Sequence, residues 1–185
     1  MARPKHRTKS GATYFVTTNT WKRREIFRKA TAAEVVEQKI CEYRDKGFYH
    51  VHCYVVMPEH LHIILTPSET TTLEKAVQLI KGGSSHEIGN RLHGRFPIWH
   101  AGFTEHQIRD EADYYSHVAY IDMNPVKAGL VQKPEEYSFC SSHGRYKLDP
   151  CPVASGAKAH EEGTSCTAGL KPRPSEATTG KSRDK

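Results

Sequence analysis

The 185-residue chain has no apolar run near the roughly 20 residues that a membrane-spanning helix requires, which excludes an integral membrane protein. Its basic opening, MARPKHRTKSGATYF, lacks the apolar stretch of a secretory signal. No C-x-x-C pair is present. The five cysteines (Cys41, Cys53, Cys140, Cys151 and Cys166) are odd in number and scattered, which argues against a disulfide framework and against a cysteine zinc site. A reducing cytoplasm is the compartment this implies. Residues 151–185 contain no aromatic residue, Ile or Met and are rich in Gly, Pro, Ser, Thr and Ala. Such a segment buries too little apolar surface to offset its ordering entropy, so residues 147–185 are expected to form a disordered tail. No internal repeat is visible.

What remains is ordinary globular composition with an uneven charge. At 37% hydrophobic and 26% charged, the chain reads as one soluble domain, expected over residues 13–146 behind a basic arm at 1–12. The formal net charge is +6. Residues 1–29 hold nine Lys and Arg against Glu25 alone, whereas residues 30–150 hold 12 basic and 16 acidic side chains. A basic end suits a polyanion, because each phosphate neutralised releases counterions; nucleic acid is favoured over a merely solubilising arm.

The element pattern is α+β. TYFVTTNT (13–20) is β-branched and aromatic and reads as a strand. Thr31-x-x-Glu34 reads as a capping box opening a helix that turns Ala32, Val36, Ile40 and Tyr43 inward and closes at Lys46-Gly47. HVHCYVVM (50–57) alternates, with Val51, Cys53, Val55 and Met57 on one face, and HLHIILT (60–66) alternates again across a tight Pro58-Glu59 connection: a hairpin. A second helix starts near Thr71 and is interrupted at Gly82-Gly83. Phe96–Ile108 is strand-like with a break at Gly102. Asp110 caps a third helix ended by Asn124-Pro125, and Gly129 closes a following turn. This order predicts a ferredoxin-like antiparallel sheet with helices packed on one face.

Two residue pairs carry chemistry. His60 and His62 lie on one face of a strand, roughly 7 Å apart along the backbone, so one divalent ion can be shared from a single rigid strand. A His-x-His pair also arises easily among 12 histidines, so by itself the pair is unspecific. Tyr120 and Asn124 share a helical face at a spacing of four. A tyrosine can attack phosphorus to form a phosphotyrosine, but its phenol needs a nearby base or cation. An amide oxygen suits a hard cation such as Mg²⁺ or Mn²⁺. Alone, this pair reads equally as helix packing.

Taken together, Met57-Pro58-Glu59-His60-Leu61-His62-Ile63-Ile64-Leu65 and Tyr120-Ile121-Asp122-Met123-Asn124-Pro125-Val126-Lys127-Ala128-Gly129-Leu130-Val131 resemble the single-tyrosine HUH transposases, in particular the REP-associated tyrosine transposases of the IS200-like group. Ile80–Ser85, Trp99–Arg109, Tyr14–Thr17 and Trp21–Arg24 are similar as well, so the resemblance covers roughly residues 10–145 in order. It implies that His60 and His62 hold a divalent metal (Mg²⁺ or Mn²⁺) and that Tyr120 is the nucleophile. It further implies that single-stranded DNA near hairpins (REP-like or insertion-sequence ends) is cleaved and rejoined through a 5′-phosphotyrosine. Asn124 falls where insertion-sequence relatives place Gln and closer relatives Asn, which leaves the third ligand open among Asn124, His117, His106 and Glu59. A monomer or a homodimer is implied, cytoplasmic and nucleoid-associated when on DNA, without a membrane partner.

The resemblance implies that the arm residues Arg3, Lys5 and Arg7 track phosphates; by position, Lys22, Arg23 and Arg24, just after the first strand, are candidates to grip a hairpin stem, and Lys81, Arg109 and Arg145 to touch phosphate. Solvated surface charge is the alternative for each. Trp21 and Trp99 are candidates to stack on unpaired bases, with a core role favoured for Trp99. Two competing readings stand beside the enzyme: a domesticated hairpin-binding protein without transposition, and a plain metal-binding or structural α+β domain.

Overall fold

Aromatic and β-branched side chains favour an extended Tyr14–Asn19 (β1), in which burial alternates: Tyr14, Val16 and Thr18 are buried and Phe15, Thr17 and Asn19 stand on the opposite, half-buried face. In the computed structural model, which describes residues 8–9, 11–92 and 96–152, β1 is central in a four-stranded antiparallel sheet of order β2-β3-β1-β4. The other strands are Tyr49–Met57 (β2), His60–Pro67 (β3) and Thr104–Gln107 (β4); the helices are Ala30–Asp45 (α1), Leu73–Arg91 (α2) and Glu111–Lys127 (α3). The first six elements follow the ferredoxin-like order β-α-β-β-α-β, and α3 is appended. Among the described residues no helix is long and apolar enough to cross a membrane.

Both faces of the sheet are covered, so the expectation of helices on one face is corrected. Leu61, Ile63 and Leu65 of β3 pack with Ala33, Val36 and Ile40 of α1 and Leu73, Val77 and Ile80 of α2. Cys53, Val55, Met57 and Ile64 pack with Tyr114 and Ile121 of α3 and with Cys140. The reason lies in β2, whose residues are apolar on both sides, and in Ile64 of β3 beside it; each large side chain buried is worth roughly 1.5–3 kcal/mol, so neither face can stay open to water.

Other sequence expectations shift for similar reasons. A bulge between Val51 and Cys53 rephases β2, so Val51 faces α1 and α2 while Cys53, Val55 and Met57 face α3. No side-chain cap forms at the start of α1, where Lys29 rather than Thr31 holds the cap position. The preceding turn is pinned instead by the buried Ile26 and Phe27 and by Phe27 N–H donating to the Pro58 carbonyl at 2.9 Å. Helix α2 runs unbroken through Gly82-Gly83. A Cβ at Gly83 would lie 2.5 Å from the Tyr43 hydroxyl, so the glycine permits close α1–α2 contact rather than a break. Helix α3, capped by Asp110 Oδ1 accepting from Asp113 N–H at 2.8 Å, continues past Pro125 to Lys127. Pro125 costs one donor in the last turn only, and Gly129 at φ +70° ends the helix. The strand-like run 96–108 forms β4 over Thr104–Gln107, with Trp99 in a single bridge to Thr20.

Packing continues beyond residue 146. Asp149 exchanges hydrogen bonds with the Val51 backbone (Val51 N–H to Oδ2 2.7 Å, Asp149 N–H to the Val51 carbonyl 2.8 Å), covering the free edge of β2. The remainder of the expected tail, 153–185, and most of the arm lie outside the described residues. Cys41, Cys53 and Cys140 are buried free thiols.

Candidate active site

The two-residue Pro58-Glu59 turn sets Met57 opposite His60 and fixes the register of β3. With Leu61 and Ile63 committed to the α1–α2 core, alternation turns His60 and His62 to the α3 face, their ring centroids 4.5 Å apart. Each imidazole is oriented from behind: Glu59 Oε1 lies 2.9 Å from His60 Nδ1, and Thr17 Oγ1 lies 2.7 Å from His62 Nδ1. With Nδ1 engaged, Nε2 is the nitrogen left to bind a metal, and a carboxylate behind the ring raises its basicity. Burial lowers the His60 pKa, and burial together with the adjacent His60 lowers that of His62 to about 3. Both rings are neutral near pH 7, the state a metal ligand requires.

Helix α3 brings the remaining groups. Tyr120 is 42% exposed, with its ring edge-on to His62 at 5.2 Å and to Phe15 at 5.9 Å. Asn124, one turn later, lines the same cleft as His60 and Tyr120. The ammonium of Lys127, two turns after Tyr120, lies 5.5 Å from that ring's centroid. Lys127 belongs to none of the residue pairs singled out in the sequence, although its spacing of seven from Tyr120 puts it on the same helical face. Glu59, His60, Tyr120, Asn124, Lys127 and Arg28 share a cleft of about 480 Å³. Two neutral imidazoles with orienting partners and an adjacent amide fit a divalent cation.

His106 and His117, the alternative ligands, meet each other instead. Their rings stack at 4.7 Å, and Asp113 lies between them, 2.8 Å from His106 Nε2 and 3.2 Å from His117 Nδ1. The Asp113 carboxyl is held at about 2, chiefly by the His106 hydrogen bond. One ligand atom from each of the three lies within 4.8 Å of the others, a spacing suited to a cation. Phe15 touches His117 on one side and His62 on the other, so the two clusters flank one ring. The Asp113–His117 spacing of four was the available signal for this cluster.

The basic residues divide. Lys22 and Arg23 are exposed and sit at φ 54° and 52°, a conformation non-glycine residues adopt at a cost. Arg23 is close enough for its charge to lower the His60 pKa, and Arg24 lies over Phe96 at 5.5 Å. Arg109 is 74% exposed and reaches Asp113 at 3.3 Å. Lys81 is corrected to a structural role: its ammonium donates to the carbonyls of His100 (2.8 Å) and Gly102 (2.6 Å), and burial lowers its pKa to about 8. Arg145 pairs with the buried Glu37 at 3.0 Å while its side chain stays 36% exposed. Arg3, Lys5 and Arg7 lie outside the described residues. Trp99 is core, its indole N–H donating to Ser84 at 3.0 Å, while Trp21 is 36% exposed and stacks on His100 at 6.2 Å.

A family model described as "Transposase IS200 like" matches residues 8–122. The REP-associated tyrosine transposase of Escherichia coli (strain K12) is 32% identical over 145 residues, covering 75% of this chain and 84% of that protein. A solved structure of a REP-associated tyrosine transposase bound to a REP hairpin aligns with a TM-score of 0.66 at 26% identity, covering 87% of this chain and all of that one.

Proposed function

The chain belongs to the IS200-like transposase family, and from that premise we propose that it is a metal-dependent enzyme that cleaves and rejoins single-stranded DNA at hairpin-flanked ends through a 5′-phosphotyrosine on Tyr120. The observation that carries this reading is the 5.2 Å approach of the Tyr120 ring to His62, beside His60 and Asn124. A divalent ion (Mg²⁺ or Mn²⁺) held by His60, His62 and Asn124 supplies Lewis acidity toward the scissile phosphate. Tyr120 Oη loses its proton to solvent and attacks phosphorus, the bond to the 3′ oxygen breaks, and that oxygen takes up a solvent proton and leaves as a hydroxyl. The Lys127 ammonium, 5.5 Å from the ring centroid, sets a positive charge beside the phosphate under attack. Glu59 and Thr17 hold the imidazoles in orientation. The phosphodiester energy is kept in the Tyr–O–P bond, so a second 3′-hydroxyl reverses the step and transfers the strand. Tyr120 reaches histidines of its own chain, which supports a site completed within one subunit.

The test is a covalent-adduct gel with hairpin oligonucleotides from the DNA flanking the gene. Adduct is expected with Mn²⁺ and not with EDTA, and the His60→Ala/His62→Ala double variant should lose it by at least about 100-fold. Tight hairpin binding with no adduct under any metal would establish the domesticated binder instead.

Trp21 is the surface member of the chain's two tryptophans, so it dominates any fluorescence change at the DNA face. Unpaired DNA is expected to quench it and fully paired DNA to leave it bright. Trp21→Ala should cost about 1–3 kcal/mol of single-strand affinity, the range for one stacked base. Equal quenching by both DNAs would assign Trp21 to another role.

A further inference from the structure

Strand β1 ends beside the histidines on the same face. The antiparallel register sets Thr17 opposite His62 and Asn19 opposite His60, and residues directly opposite have Cβ atoms about 5 Å apart. Alternation along β1 places Phe15, Thr17 and Asn19 together on the α3 side, and Thr17 accordingly meets His62 Nδ1 at 2.7 Å. Asn19 is the corresponding neighbour of His60, but His60 Nδ1 is already taken by Glu59 at 2.9 Å. The Asn19 backbone is fixed as well, its carbonyl accepting from His100 N–H at 2.9 Å.

The Asn19 amide oxygen is thereby left over. Among the described residues, Oδ1 of Asn19 is the one buried side-chain nitrogen or oxygen without a hydrogen-bond partner. A buried acceptor left unpaired is costly, and in a native protein it calls for a bound water or ion. An amide oxygen accepts only, carries no proton to shed, and belongs to the hard donors that Mg²⁺ and Mn²⁺ select.

We propose that Asn19 Oδ1 is an oxygen ligand of the divalent cation held by His60 and His62. This rests on the function proposed above and extends it, since the ligand shell then draws on three elements: β1 through Asn19, β3 through the histidines and α3 through Asn124. Two hard oxygens set against two imidazoles bias the site toward Mg²⁺ and Mn²⁺ and away from softer ions. They also tie metal occupancy to the docking of α3, and so of Tyr120, on the sheet.

The experiment is calorimetric titration of Mn²⁺ into the full-length chain and into Asn19→Ala, Asn19→Asp, Asn124→Ala and His60→Ala/His62→Ala. Metal-free thermal midpoints are recorded alongside. Asn19→Ala is expected to raise the Mn²⁺ Kd by about 10–100-fold, with Asn19→Asp restoring it, because aspartate keeps a hard oxygen at that position. The metal-free midpoint of Asn19→Ala should stay level or rise, since the unpaired acceptor is gone; a purely structural amide would instead lower it. Asn19→Ala binding Mn²⁺ within twofold of the wild type overturns the inference and leaves the function standing, as does a lowered metal-free midpoint. A wild type that binds no Mn²⁺, or a double-histidine variant that binds it normally, overturns the metal reading and this inference with it.

Discussion

Tyr120→Phe is expected to form no covalent adduct with hairpin-bearing single-stranded DNA, a loss of at least about 10³-fold, while binding the same DNA as tightly as the wild type. The substitution deletes one oxygen and leaves the ring, which packs edge-on to His62 at 5.2 Å and to Phe15 at 5.9 Å and carries Lys127 at 5.5 Å. Because the side chain is 42% exposed and its contacts are made by the ring, the change in folding stability should stay within about 0.5 kcal/mol. Loss of adduct then reports chemistry and not misfolding. Denaturing gels measure the adduct and filter binding measures affinity on the same preparations. An undiminished adduct in Tyr120→Phe would move the nucleophile elsewhere, with Tyr115, exposed on the same helix, the next residue to replace.

The largest stability effect is expected far from the cleft. Glu37 of α1 is fully buried, its carboxylate accepting from the Tyr54 hydroxyl at 3.0 Å and from Arg145 Nη1 at 3.0 Å. Arg145→Ala strands a charge in the core, which costs about 3 kcal/mol, or roughly 6–12 °C in midpoint for a chain of this size. The effect has a pH signature. Burial already raises the Glu37 pKa above its ordinary value, and the Arg145 charge opposes that rise. A group whose folded pKa is raised contributes stability that is fully present below the unfolded value and lost as pH rises through the folded value. Without Arg145 the folded value climbs further, so the deficit should be larger at pH 8 than at pH 5. Glu37→Gln in the Arg145→Ala background should recover part of it by removing the charge. Urea denaturation at the two pH values decides, and a deficit independent of pH would mean that lost packing by the arginine stem, not the stranded charge, is responsible.

Residues whose roles follow from a fixed backbone period are legible in the amino-acid sequence. Strand alternation places His60 and His62 side by side, helical spacing places Tyr120 and Asn124 together, and the Asp110 cap and Pro58-Glu59 turn stand where local chemistry puts them. The family resemblance joins the two pairs into one site, and the ring approach at 5.2 Å agrees with it. Local rules fail where a distant segment decides the outcome. Gly82-Gly83 has the composition of a break, but Tyr43 of α1 leans against Gly83 and α2 continues. Lys81 has the charge of a phosphate contact, but a carbonyl pair claims it, and Arg145 pairs with a buried carboxylate.

The sequence by itself therefore determined the order of strands and helices and the face on which each reactive side chain stands, though not where every element ends, because these depend on backbone periods of two and 3.6 residues. Only the tertiary structure decided that both sheet faces are covered, that a bulge turns Val51 away from Cys53, which cations are spent on internal partners, and that the Asn19 amide oxygen is buried unpaired beside His60. Those outcomes depend on which groups meet through space and on the cost of leaving a buried charge or acceptor unpaired, which no local pattern encodes.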